Sequence, residues 1–143
     1  MSTLKANTLT GTTSAGSIVV TGEGGSTTTN LQQGLAKAWA NVNQGTPSIR
    51  DSLNLSSNTD NGEGDFTANW SNNFSAAEYV AAGMATNDGT NYTRGPGGFY
   101  QKDTSAMTTS SHTTIACWGS SSSSNGYVKD KTYALQMYMG DLA

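Results

Sequence analysis

Ile49-Arg50-Asp51-Ser52-Leu53-Asn54-Leu55 runs through Asn58-Thr59-Asp60-Asn61-Gly62-Glu63-Gly64-Asp65 into Phe66-Thr67-Ala68-Asn69-Trp70. Ile49, Leu53 and Leu55 fall on one face of an extended chain, with Asp51 interrupting them, and Phe66, Ala68 and Trp70 alternate in the return run. A period of two is what a strand produces, because successive side chains point to opposite faces. The Asn-, Asp- and Gly-dense residues 58–65 between the runs supply turn chemistry. The stretch therefore predicts an antiparallel hairpin.

The same period continues downstream. Tyr79 to Ala85 alternates, with Val80, Ala82 and Met84 opposite Tyr79 and Ala81. Phe99-Tyr100 opens a short strand. His112 to Gly119 places Ile115 and Cys117 on one side, Ala116 and Trp118 on the other, and Tyr133, Leu135, Met137 and Met139 form a last strand. Residues 86–98 and the Ser120–Ser124 run with Asn125-Gly126 read as loops. Five to seven short strands punctuated by turns predict a mainly β fold, an antiparallel β-sandwich over residues 45–143.

Upstream the pattern differs. Residues 1–29 read as an extended arm with Leu4 and Leu9 as its sizeable apolar groups before the short strand Ile18-Val19-Val20. Asn30 has the chemistry of a helix N-cap with Gln33 three residues on, and Leu31, Leu35, Ala38 and Val42 follow at helical spacing with Trp39 beside them. This predicts a short helix over 30–44, ended by Gly45-Thr46-Pro47. With about 12 residues in helical conformation, roughly 18 Å, it is too short to persist alone in water. It must pack on the sheet or on copies of itself around an oligomer axis.

Ser, Thr, Asn and Gly make up 69 of the 143 residues, whereas Leu, Ile, Val and Phe make up 19. So small an aliphatic fraction normally flags disorder, yet the formal net charge is only -3 and there are twelve aromatics. A thin core in a folded chain is reconciled by burial between subunits, which predicts an obligate oligomer. No Lys/Arg cluster is present to neutralise phosphates, which argues against nucleic-acid binding. No apolar run reaches the length of a membrane span and the start lacks a signal-peptide core, so the expectation is synthesis in a cytosol without membrane insertion.

Several motifs invite chemistry and are each explained more simply. Gly22-Glu23-Gly24-Gly25 between a strand and the expected helix resembles part of a phosphate-binding loop. Thr27 stands where a third glycine belongs, no lysine follows, and Glu23 would repel phosphate. His112 is the only histidine and Cys117 the only cysteine. The first sits by a polar turn, and the second reads as a small buried hydrophobe. Asp60, Glu63 and Asp65 could hold a hard cation, though a solvated hairpin tip explains them and the spacing is not that of an EF-hand. The reading is a non-enzyme without cofactor, metal or catalytic residues. Trp39, Trp70, Trp118, Tyr92, Phe99 and Tyr100 serve as core material or as a sugar-stacking platform. In the second case a ligand loop of Asn87, Asp88, Asn91 and Tyr92 would bind a host surface glycan.

Residues 34–70 resemble a segment of bacteriophage tail-fibre-like proteins. Lys37-Ala38-Trp39, Ile49-Arg50-Asp51-Ser52, Asp60-Asn61-Gly62 and Gly64-Asp65 carry the likeness. The leader Met1-Ser2-Thr3-Leu4-Lys5 with Gly16-Ser17-Ile18 is similar to openings of fibre proteins in marine phages. The resemblance covers about half the chain. It implies a β-rich, homotrimeric virion protein anchored to another virion protein through its N-terminal arm, by Leu4, Leu9 and Ile18. Long fibres carry shafts and large tips for which this chain has no room, so a short head fibre, capsid decoration or small tail-associated fibre fits better. In such a trimer Leu31, Leu35, Ala38, Trp39 and Val42 would form the subunit contact. A lectin-like host-adhesion module of a tail fibre is the alternative.

Overall fold

A computed structural model describes residues 3–13, 18–86, 98–102, 104–118 and 127–143, excepting the side chains of residues 118 and 127. The described structure is mainly β with antiparallel pairing and contains no helix. It divides into two compact units, Met1–Leu35 and Ala36–Ala143.

In the first unit, β1 (Val19–Thr21) and β2 (Thr28–Asn30) form a hairpin in the register Val19↔Asn30 to Thr21↔Thr28. The glycine-rich run is the turn between them, closed by the Gly22 N–H donating to the Thr27 carbonyl at 2.8 Å. It leads to a strand and not to a helix N-terminus, so the geometry that concentrates N–H dipoles on a phosphate is missing.

The helix expected over 30–44 does not form. Asn30 does cap: its Oδ1 accepts the N–H groups of Gln32 at 2.8 Å and Gln33 at 3.3 Å, and the Gly34 N–H donates to the Asn30 carbonyl. One turn results and stops at Gly34. Beyond it Asn41, Val42 and Asn43 are poor helix formers, and Ala38-Trp39-Ala40-Asn41-Val42-Asn43 alternates buried and half-buried as β3 (Ala38–Asn43). A strand satisfies those backbone groups through two neighbours, where a short helix would have stood nearly alone.

The second unit contains two sheets. One has the order β4 (Ser48–Leu53), β3, β11 (Ala134–Met139), β7 (Val80–Ala85). The other runs β10 (Tyr127–Val128), β9 (Ser111–Trp118), β6 (Asp65–Trp70), β5 (Leu55–Gly62), with β8 (Gly98–Gln101) on β9 as well. Cys117 pairs with both Gly98 and Val128, and Ile115 with both Tyr100 and Asp65, so β8 holds one edge of β9 while β6 and β10 share the other.

An antiparallel hairpin ending in Phe66–Trp70 is present, but its first strand is not the 49–55 run: Ser48–Leu53 belongs to the other sheet as β4, and β6 pairs with β5, which occupies most of the expected turn. The run 49–55 breaks at Asn54, whose φ of 58° is left-handed, a region asparagine tolerates. Its side chain fastens the following turn: Oδ1 accepts the Asn72 N–H at 2.7 Å, and Nδ2 donates to the Asn72 carbonyl at 3.0 Å. The turn is also far shorter than 58–65, because β5 continues to Gly62 and only Glu63-Gly64 reverses the chain.

Gly64 is where three strands meet. The Ala116 N–H donates to its carbonyl at 2.8 Å, and its own N–H donates to Asp130 Oδ1 at 2.6 Å. Between the sheets lies an aromatic core: Trp70, Phe74, Tyr79 and Tyr138, with Trp70 edge-on to Tyr138 at 4.6 Å and Phe74 stacked on Tyr79 at 4.3 Å. The strands facing these rings contribute small side chains, Ala38, Ala40, Ala68, Ala116 and Ala134, all buried.

Candidate functional site

The outward faces of the two sheets have opposite chemistry. The five-stranded sheet presents a polar ladder. Thr67 and Thr113 share a hydroxyl hydrogen bond of 2.8 Å, Asn69 Nδ2 donates to Ser57 and Thr59, and Asn61 Nδ2 donates to Thr67 and Asp65. Lys102 closes the ladder with an ion pair to Asp65 at 2.5 Å.

On the four-stranded sheet, register fixes which residues share the outer face. Ala134, Gln136 and Tyr138 are buried inward, so Leu135, Met137 and Met139 face out. Their partners on β7 are Met84, Ala82 and Val80, and Met137 lies opposite Trp39, itself opposite Leu53 on β4. Val80, Met84, Leu53 and Met137 are 66%, 62%, 46% and 43% exposed. Leu135, Gly83, Met84 and Met137 border an open groove of about 340 Å3 on this face.

The two edges of that sheet also differ. At β4 a bulge lies opposite Asn41-Val42, and Arg50 folds over the Tyr133 ring at 4.4 Å while its Nη2 donates to the Thr132 carbonyl. At β7 the sequence Val80-Ala-Ala-Gly-Met-Ala85 carries neither charge nor proline, the usual guards of an edge strand.

A separate cavity of about 170 Å3 opens between β7 and β8, floored by β9 and β11. Tyr138 donates its hydroxyl hydrogen to Gln136 Oε1, and Gln136 Nε2 donates to Thr114 Oγ1 at 3.0 Å. His112 lines the same cavity, 2% exposed, with no partner among the described residues for either ring nitrogen. Its ring stands edge-on to Tyr138 at 5.5 Å and to Tyr79 at 6.0 Å. Burial pushes its pKa below the ordinary histidine value, so the imidazole is neutral at pH 7. Gly83 lets β8 close one wall, since a Cβ there would stand 2.9 Å from the Phe99 ring and 2.8 Å from the Leu135 carbonyl oxygen.

The residues singled out by sequence scatter across this frame. Leu4 and Leu9 are exposed at 80% and 56%, and Ile18 is half-buried. Leu31, Leu35, Ala38 and Val42 do not make one stripe: Leu35 is exposed, whereas Ala38 and Val42 lie in this chain's own core. Only Trp39 of that set is on the outward face. Asn87, Asp88, Asn91 and Tyr92 lie outside the described residues. Cys117 is half-buried on the outward side of β9, not sealed in the core. Burial raises its thiol pKa and the charge of Lys131 opposes the rise.

The three hairpin acids are each engaged: Asp65 by Lys102, Glu63 by Lys129 at 3.6 Å, and Asp60 by the Gly62 N–H. The sequence exposed Leu135, Met137, Met139, Val80 and Met84 as apolar alternations without revealing that they face away from the core. Nothing in the linear pattern joined Thr114, Gln136 and Tyr138 to His112.

Comparison with protein-family models, curated proteins and solved structures returns no match.

Proposed function

We propose that this chain is a structural subunit of a bacteriophage particle, a short fibre-like or surface-decorating protein that works as a homo-oligomer. The assignment to a particle rests on the resemblance of residues 34–70 and of the leader to tail-fibre-like proteins. The oligomer rests on one observation, the apolar outer face of the four-stranded sheet beside the polar outer face of its partner sheet.

Four strands of six residues present a flat face of roughly 400 Å2 at about 4.8 Å between strands and about 3.3 Å per residue. Asp51, Asn41 and Asn43 also stand on that face, so its apolar part is the Leu53–Trp39–Met137–Ala82 row with Leu135, Met139, Met84 and Val80 beside it, and contiguous apolar patches of a few hundred Å2 mark interaction surfaces. A second copy of this chain is the fitting occupant, because the face is self-complementary: flexible Met and Leu side chains around one Trp, with no charge in the Leu53–Trp39–Met137–Ala82 row. Two such faces stacked bury roughly 800 Å2 of flat area, short of the roughly 1,200–2,000 Å2 of stable interfaces. The contact therefore extends onto an adjoining strand, and the unguarded β7 edge is the one available. Three copies is the number the resemblance implies. The exposed Leu4 and Leu9 suit an anchoring role for the N-terminal residues.

The test is light scattering coupled to size-exclusion chromatography, on wild type and on Met137→Lys/Met84→Lys. The expected result is an oligomeric wild type and a variant that is monomeric with an unchanged circular dichroism spectrum. A wild type that stays monomeric at about 100 µM overturns the oligomer, and absence of the chain from purified particles by mass spectrometry overturns the virion assignment.

A further inference from the structure

We propose that the cavity between β7 and β8 is a binding site for a small neutral hydroxylated ring compound, of the size and polarity of phenol. It adjoins the assembly surface just described, because Ala82 and Gly83 of β7 border both.

The argument starts from what the cavity leaves unsatisfied. Buried polar side chains nearly always have partners, because stripping water from a donor or acceptor without replacement costs about 1–3 kcal/mol. His112 is 2% exposed and neither ring nitrogen has a partner among the described residues, although the neighbouring Gln136, Thr114 and Tyr138 are linked to one another. The unmet demand therefore faces the cavity. A neutral imidazole offers one N–H and one lone pair, and a hydroxyl group answers either, accepting from the first or donating to the second. Thr114 Oγ1 accepts from Gln136 and keeps its own hydrogen to donate. Phe99, Met107 and Ala81 make the remaining wall mainly apolar, with Tyr100 and Gln101 at its β8 side, so the rest of the ligand is a compact, mainly apolar body. An apolar cavity of about 150 Å3 accommodates benzene. The 170 Å3 here takes one ring and a hydroxyl. Among the described residues no carboxylate, lysine or arginine lines it, which disfavours an ionic ligand by desolvation.

Phenol and toluene form the test pair, since they match in shape and differ only in the hydroxyl. Binding to the full chain is followed by saturation-transfer NMR and by the His112 ring resonances. The expected result is phenol binding that shifts those resonances, with toluene at least 10-fold weaker. His112→Phe keeps a ring in place and is expected to lose the preference for phenol. Ala81→Leu, at an exposed edge position, is expected to block the mouth and abolish binding while the chain stays folded. Absence of phenol binding, or equal binding of both compounds by wild type, means that the cavity holds only water and overturns the proposal. Phenol binding that survives in both variants overturns it too, by placing the site elsewhere.

Discussion

Replacing Gly64 by alanine tests whether the β5–β6 turn is locked beneath β10. Two costs are readable from the structure. The φ of 65° is left-handed, which an L-residue with a Cβ adopts at about 1–2 kcal/mol. The new Cβ would also stand 2.6 Å from Val128 Cγ1, 2.7 Å from the Lys129 nitrogen and 3.0 Å from the Ala116 carbonyl oxygen. Two of these three are backbone atoms, so relief requires moving β10 and with it the Gly64 N–H to Asp130 hydrogen bond. Overpacking of this kind typically costs 1–3 kcal/mol. Together the loss is about 2–5 kcal/mol. At about 2–4 °C per kcal/mol for a chain near this size, the melting temperature falls by roughly 5–20 °C. Gly45→Ala is the matched control: its Cβ meets only Asn43 Oδ1 at 3.8 Å, and a change within about 0.5 kcal/mol is expected. Urea unfolding followed by circular dichroism measures both. A Gly64→Ala loss below 1 kcal/mol, with the fold retained, would refute the reasoning.

His112 gives a pH signature. Its pKa is lowered in the folded chain by burial, so between that value and about 6.5 the unfolded chain binds a proton that the native chain refuses. Stability is therefore full above about pH 6.5 and declines as pH falls through the window, by at most about 1.36 kcal/mol per pH unit. The rings packed on it, Tyr79 (pushed up to about 12 by burial) and Tyr138 (also raised by burial), stay neutral there. His112→Phe is expected to flatten the urea-midpoint profile between pH 6.5 and 5, and an unchanged profile would contradict a buried neutral imidazole. Deleting residues 1–20 is expected to leave a folded oligomer, because both core clusters lie beyond residue 35, while incorporation into particles is lost. Normal occupancy of the truncated chain would show that the arm is not the anchor.

The strands around 66–70, 80–85, 112–118 and 134–139 were legible and their facing was not, for a reason the core makes plain. Ala134-Leu135-Gln136-Met137-Tyr138-Met139 alternates cleanly, and the larger aliphatic set would ordinarily be taken as the buried one. The opposite set is buried, because four rings from Trp70, Phe74, Tyr79 and Tyr138 already fill the space between the sheets. Strands facing such bulk are left with alanine, and Leu and Met are displaced outward. The helical expectation fails through the same small residue. Ala38 and Val42 fit a 3.6-residue stripe with Leu31 and Leu35, but Ala38, Ala40 and Val42 fit a period of two just as well. What separates the readings lies nearly a hundred residues away, in the pairing of Ala38–Val42 with Ala134–Tyr138. No local pattern contains it. With no helix to carry it, the proposed oligomer draws on the sheet instead. A chain with so few aliphatic side chains commits Ala38 and Val42 to its own core and spends Leu53, Leu135, Met137, Met139 and Val80 on the far side of the same sheet. That far side, apolar along the Leu53–Trp39–Met137–Ala82 row and polar at Asp51 and Asn41, is the surface that the proposed oligomer would cover.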